Sequence, residues 1–538
     1  NLARCVESRR AVAAAAEAVA ACVDVLRSPV EETVKEHAAA TVAALCDADR
    51  RPDVVAAGGV EELALLLDSW SVPCQLHAVR AMSSLAQDQS SHARLVSAGL
   101  SQMVQLGGGT PSQAGVFALA LLHKLATGGD EGAQAAVASS EAAVGLLVSQ
   151  LGGSLAEQQA AAGSLRHVAR FAEARQAMVA CGGVTALVAT AQVKGLDAHG
   201  RREACMALAQ LSCAPHSEAV AAAGGAEVLI EAVRRDGGCA AGDRGGVAQA
   251  AAAALEELVV CEAGKRAVLA GGVGPCVQLL QSSQEAVQRH ALTILEHVAA
   301  GADGQAAVGA AGGVQSLVRL ACSRNAAVVP AATGILCCLS ERAGELPSLI
   351  ASGAARPLVG WLGDAEVARQ ARAVAAVRRL SGAQHGGEMA VVEAGGVGPL
   401  VRLLRGGGAA QAEAMHAVHN LARCVESRRA VAAAAEAVAA CVDVLQSATD
   451  EATKEHAAAA LTCLSDTGKS VEIVAAGAVE ELVALVVKGQ EPGRTQAAKA
   501  MCSLADNGGS HAVLATTGLA ELVALASGPE DEAPGYAR

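Results

Sequence analysis

EAGGVGPLVRLL, residues 393–404, decides how this 538-residue chain is read. Two adjacent glycines precede Leu400, Val401, Leu403 and Leu404, which stand at the spacing of one helix face. Glycine enters the left-handed region without Cβ strain, so it can stop one helix while another begins immediately. The same phrase returns as AAGGVEELALLL (56–67), ACGGVTALVAT (180–190), LAGGVGPCVQLL (269–280), AAGGVQSLVRL (310–320) and AAGAVEELVAL (475–485). Degenerate copies fill the gaps. The small apolar position after the glycines falls at Val19, Val60, Leu100, Glu141, Val184, Ala226, Val273, Val314, Ala355, Val397, Val438, Val479 and Leu519. Successive spacings run from 40 to 47, which makes thirteen units at a period near 42.

Each unit reads as three helices. A short one ends at the glycines and a second carries the leucines. After a polar break such as RGGGAAQ (405–411), a longer third follows, as in AEAMHAVHNLARC (412–424). The one long spacing, 47, reflects an insertion around RRDGGCAAGDRGG (234–246), which reads as a flexible loop after a second helix.

This organisation resembles the armadillo repeat, whose units pair a glycine-ended first helix with two antiparallel helices. The HEAT repeat is the alternative, but it lacks the glycine signature. The resemblance implies an all-α fold: a right-handed α-solenoid superhelix of about 13 repeats, with third helices lining a concave groove. The expected domain plan is one solenoid over 1–526, followed by a disordered acidic tail at 527–538.

Composition agrees with a helical array. Only five residues are aromatic, so the core is built from Ala, Val and Leu. Alanine favours helix and close helix approach, but each one removes little apolar surface from water. Such a fold needs many units. A net charge of −13 and the scarcity of stacking rings disfavour a nucleic-acid binder. No run of eighteen apolar residues occurs, so no transmembrane helix is expected. The 17 cysteines sit in Ala/Leu-rich helical text without a CxxC pair, and read as free thiols in a reducing, intracellular compartment. Cytoplasm is the first expectation; cilium or nucleus are alternatives.

Residues 1–26 and 420–445 are identical, an offset of 419, or ten repeats. The correspondence continues without a gap to 107 and 526, so one block has been copied. The abrupt end of perfect identity points to recent exchange between copies or to an artefact of gene assembly. Asn1 matches Asn420 inside a third helix, so the first repeat reads as truncated, with an uncapped face through which the chain can self-associate.

No catalytic constellation is present in the sequence: HExxH, GxSxG and a phosphate loop are all missing. The reading is therefore a non-enzyme, with no cofactor and no metal. His416 and His419 form an i, i+3 pair, but no third ligand stands at a supporting spacing. Function is expected on the third helices. In armadillo proteins the position before "LA" on that helix is often an asparagine that clamps an extended peptide. Here it holds Lys124, His167, Gln210, Glu257, His297, Arg379 and Asn420, among others, and asparagine occurs only at Asn1 and Asn420. Four residues earlier no tryptophan stands, so the importin type of peptide groove is not expected. Arg369, Arg372, Arg378 and Arg379 share one third helix next to His416, His419 and Asn420. Arg372 and Arg379, seven apart, would receive an acidic or phosphorylated segment if both face inward, since guanidinium binds such oxyanions through two hydrogen bonds. The expected function is a protein-interaction scaffold; the alternatives are a ciliary structural protein or a membrane-tethered vacuolar-type adaptor.

Overall fold

The structure, a computed structural model, describes residues 16–213, 215–236, 243–383 and 386–506, together with His511 and Thr516. Asn1, the truncated first repeat's opening residues and the tail at 527–538 lie outside the described residues. Every regular element among the described residues is helical.

The chain divides into two compact units, 1–290 and 291–538. The long third helices of the first are α1 (Glu32–Asp47), α2 (Val72–Leu85), α3 (Gln113–Thr127), α4 (Leu155–Val168), α5 (Ala198–Leu211) and α6 (Asp243–Leu258). The division falls inside α7 (Glu285–Ala299). The second unit holds α8 (Val329–Leu339), α9 (Val367–Ser381), α10 (Gly408–Arg423), α11 (Glu451–Leu464) and α12 (Gly493–Ala505). Within each unit, consecutive third helices pack side by side, α1 on α2 through α5 on α6, and α8 on α9 through α11 on α12. Second helices stack likewise: Val397–Leu404 packs on Ala437–Ser447, which packs on Ala478–Lys488.

The phrase at 393–404 folds as its letters demand. A short helix, Gly387–Glu393, ends at Gly395, whose φ is +78°. A Cβ on Gly396 would stand 2.7 Å from Val391 Cγ1 and 3.0 Å from the Val391 carbonyl oxygen. The first glycine supplies the left-handed bend, and the second lets the two helices touch. Leu400 and Leu404 then point into the core, fully buried.

Not every repeat keeps the break. His92–Gly108 is one continuous helix, because the pair has become Ala98-Gly99 and no left-handed residue intervenes. At Val268–Gly272 the glycines form a π-helical turn instead. Between Glu131–Ser139 and Glu141–Ser149 the stop is Ser140, whose hydroxyl accepts from the Ala143 amide. The insertion is shorter as a loop than its letters suggest. Arg234–Asp236 continues the preceding helix and Asp243 opens α6, while 237–242 lie outside the described residues.

Helix ends leave carbonyls that need donors. A recurrent device supplies them: the side chain six residues downstream folds back onto the end of a third helix. His92 Nε2 lies 2.8 Å from the Ala86 carbonyl, Arg175 Nη1 2.9 Å from Ala169, Gln305 Nε2 3.2 Å from Ala299, and Arg428 Nε 2.7 Å from Ala422. Gln134 does the same for Gly128. Near the start of the third helices, glutamines serve the preceding turn, as Gln75 does for Ser69 at 2.6 Å and Gln411 for Leu404 at 2.7 Å.

The described cysteines are all free thiols. Burial pushes Cys46, Cys205, Cys276, Cys337 and Cys441 up to about 12, so they remain protonated and act as small apolar residues.

Candidate binding groove

The third helices carry an exposed polar stripe in each unit. In the first unit, Lys124, His167 and Gln210 are half-buried and Glu257 is exposed. Burial lowers the His167 imidazole, helped by the Arg166 charge beside it, and its Nε2 accepts from Arg166 Nη2 at 2.6 Å. The centre of this stripe is Glu203, a buried carboxylate on α5. It pairs with Arg166 from α4, and with Arg202 at 3.3 Å. A cleft of about 390 Å³ opens over it, lined by Arg166, Arg202, Met206, Gln210, Gln249 and His290. His290 Nδ1 contacts the Glu256 carboxylate, while Glu257 lies beside the Cys213 thiol.

In the second unit the four arginines of α9 divide into two kinds. Arg369 is neutralised by Asp364 at 3.3 Å and by Glu366, and its guanidinium lies over the Trp361 ring. Arg378 is neutralised by Glu413 of α10. Arg372 and Arg379 form no ion pair among the described residues. Both turn onto α8 and its end: Arg372 Nη2 donates to the Gly334 carbonyl at 3.0 Å and to Cys338 Sγ at 3.3 Å, and Arg379 Nη1 to Ser340 Oγ at 3.4 Å. His297 is exposed, and its Nδ1 bonds back to its own helix at the Thr293 carbonyl.

Asn420 is placed differently from the peptide-clamping expectation. It is 6% exposed, and its amide donates to the Arg378 carbonyl at 3.3 Å and to Ser381 Oγ at 3.4 Å. The amide is used up inside the fold because the position faces the end of the preceding third helix. The same position behaves so elsewhere: Ser84 donates to Asp47 at 3.0 Å, and Ser503 to Asp466 at 3.2 Å. It stitches repeats together.

A third histidine joins His416 and His419. His456 of α11 stacks on His416 at 4.0 Å between ring centroids, and lies 5.2 Å from the His419 ring. Its Nδ1 is 3.1 Å from His419 Nδ1. Burial drives His416 and His419 down to about 4, and the neighbouring His456 charge adds to the shift. His456 is lowered by burial as well. The signal in the sequence was the repeat period itself, since 40 residues separate His416 from His456.

Among the described residues, no single helix is long and apolar enough to cross a membrane. No family model matches the sequence, and no curated protein matches it. Solved structures do. One, from work on a conserved phosphorylation switch controlling the interaction between cadherin and beta-catenin, is 16% identical with a TM-score of 0.65, covering 90% of this chain and all of that one. An engineered protein from a structural genomics consortium is 29% identical with a TM-score of 0.50, covering 73% of this chain and 97% of that one. A computationally designed armadillo repeat protein for modular peptide recognition is 25% identical over 43% of this chain and 99% of its own, with a TM-score of 0.38. In fold, then, this chain is an armadillo-like repeat protein, an all-α solenoid.

Proposed function

We propose that the protein is a non-catalytic interaction scaffold whose second unit receives an acidic segment across α8, α9 and α10. The observation that carries this reading is the division among the α9 arginines. Arg369 and Arg378 spend their charge in ion pairs with carboxylates, whereas Arg372, with Glu296 nearby, and Arg379 form no ion pair among the described residues, two turns apart on one helix. Seven residues span about 10 Å along a helix, a distance that two carboxylates or phosphates of an extended chain can match. The likeness in fold to a structure from work on the interaction between cadherin and beta-catenin supports a protein ligand over a small molecule. With so few rings, binding energy falls to Arg, His and Leu rather than to Trp or Tyr.

The test is a titration with a fluorescent Asp/Glu-rich peptide and its phosphoserine analogue, using the chain and its Arg372→Glu/Arg379→Glu variant. Binding that weakens steeply with salt and vanishes in the variant, at unchanged helicity, supports the reading. Identical isotherms for both proteins overturn it.

A further inference from the structure

We propose that His419 and His456 form a chelating pair for a divalent first-row transition ion such as Zn²⁺, joining α10 to α11. Their Nδ1 atoms stand 3.1 Å apart. Two nitrogens on one tetrahedral zinc, each about 2.0–2.1 Å from it, stand about 3.3 Å apart. The separation of the two nitrogens is therefore already close to that of two ligands on one ion, and imidazole is a ligand suited to zinc, nickel and copper. The two helices already pack side by side, so the ligands are held before the ion arrives.

Among the described residues no three His, Cys, Asp or Glu donors converge on one point. The chain accordingly supplies two ligands, with His416 stacked behind His456, and the remaining positions fall to water or to a group from a partner. The surrounding charge permits a cation. Arg378 opposes a cation at His456, but it is paired with Glu413, and Glu455 and Asp450 act on His456 in the opposite sense from its own side. Arg423, the opposing charge nearest His419, is exposed and screened by solvent. The competing explanation for the short contact is a hydrogen bond between two neutral rings, one protonated at Nδ1 and one not.

The experiment is titration of the whole chain with Co²⁺, an optical stand-in for zinc, beside His419→Gln and His456→Gln variants of checked helicity. The parent should bind one equivalent that both variants lose, and that Zn²⁺ displaces. Its visible spectrum should lack a thiolate charge-transfer band, which separates this site from the exposed Cys181, Cys322 and Cys502. Should a variant fail to fold, diethyl pyrocarbonate labelling of the parent gives the same information, with Zn²⁺ protecting His419 and His456. Equal stoichiometry in parent and variants, a thiolate band on the lost equivalent, or unprotected rings would each leave only the hydrogen bond between neutral imidazoles and overturn the proposal.

Discussion

Asn420 donates its side-chain amide to the main-chain carbonyl of Arg378, 42 residues earlier, at 3.3 Å. The bond ties the body of α10 to the end of α9 and is shielded from water, since Asn420 is buried. Replacing it with alanine leaves the partly buried Arg378 carbonyl and the buried Ser381 hydroxyl with one partner fewer. Asn420→Ala should lower unfolding free energy by about 1–3 kcal/mol in urea. An unchanged midpoint would show that the amide is open to solvent after all.

Leu400 tests the stacked core. It is fully buried in a second helix that packs on the next repeat's second helix. Leu400→Ala should cost about 2–5 kcal/mol, and Leu400→Asp more, since it buries a carboxylate. Hydrogen exchange should then rise in α10 and the neighbouring second helix as well as around the substitution.

The two glycines of the same phrase separate two kinds of cost. Gly395 has open space for a methyl group but a φ of +78°, so Gly395→Ala should cost about 1–2 kcal/mol from backbone strain alone. Gly396 has an ordinary φ but no room, so Gly396→Val should exceed that. Thermal unfolding of the two variants ranks them.

Glu203 is a buried carboxylate held by Arg166 and Arg202. Glu203→Gln keeps the shape and removes the charge, leaving two guanidiniums facing each other across α4 and α5. The expected loss is about 1–3 kcal/mol, and it should grow as salt is lowered.

The three imidazoles make stability depend on pH. His416 and His419 have folded values near 4 against an ordinary 6.5, with burial the main cause. The folded groups therefore bind protons less readily than the unfolded ones. Their contribution is complete above about 6.5 and is lost as pH falls toward 4. In EDTA, the melting temperature should drop between pH 7.5 and pH 5, and His456→Gln should flatten that slope by removing the ring they share.

The repeat was legible because its glycines and leucines obey local rules that recur at a fixed spacing. Where one letter changed, the local rule changed with it: with Ala98 in place of the left-handed first glycine, 92–108 became a single helix. The groove was harder to read. Arg372 and Arg379 could be picked out, but their freedom from ion pairs depends on Glu413 and Asp364, which belong to neighbouring elements. The third histidine was hidden for the same reason, because residues one period apart become neighbours only after repeats stack. Asn420 was misplaced because its helix register turns it toward α9 and away from solvent.

The back-folded caps at His92, Gln134, Arg175, Gln305 and Arg428 all close over six residues. These five caps draw their donors from their own neighbourhood, whereas Arg94, on the Val55 carbonyl, and Asn420, on the Arg378 carbonyl, reach back about one repeat. A stretch of gene spanning whole periods thus carries the back-folded donors together with the carbonyls they cap, while each cross-repeat donor is supplied by whichever repeat follows. Local capping of this kind is compatible with a 107-residue block reappearing 419 positions downstream, provided that a similar repeat follows it.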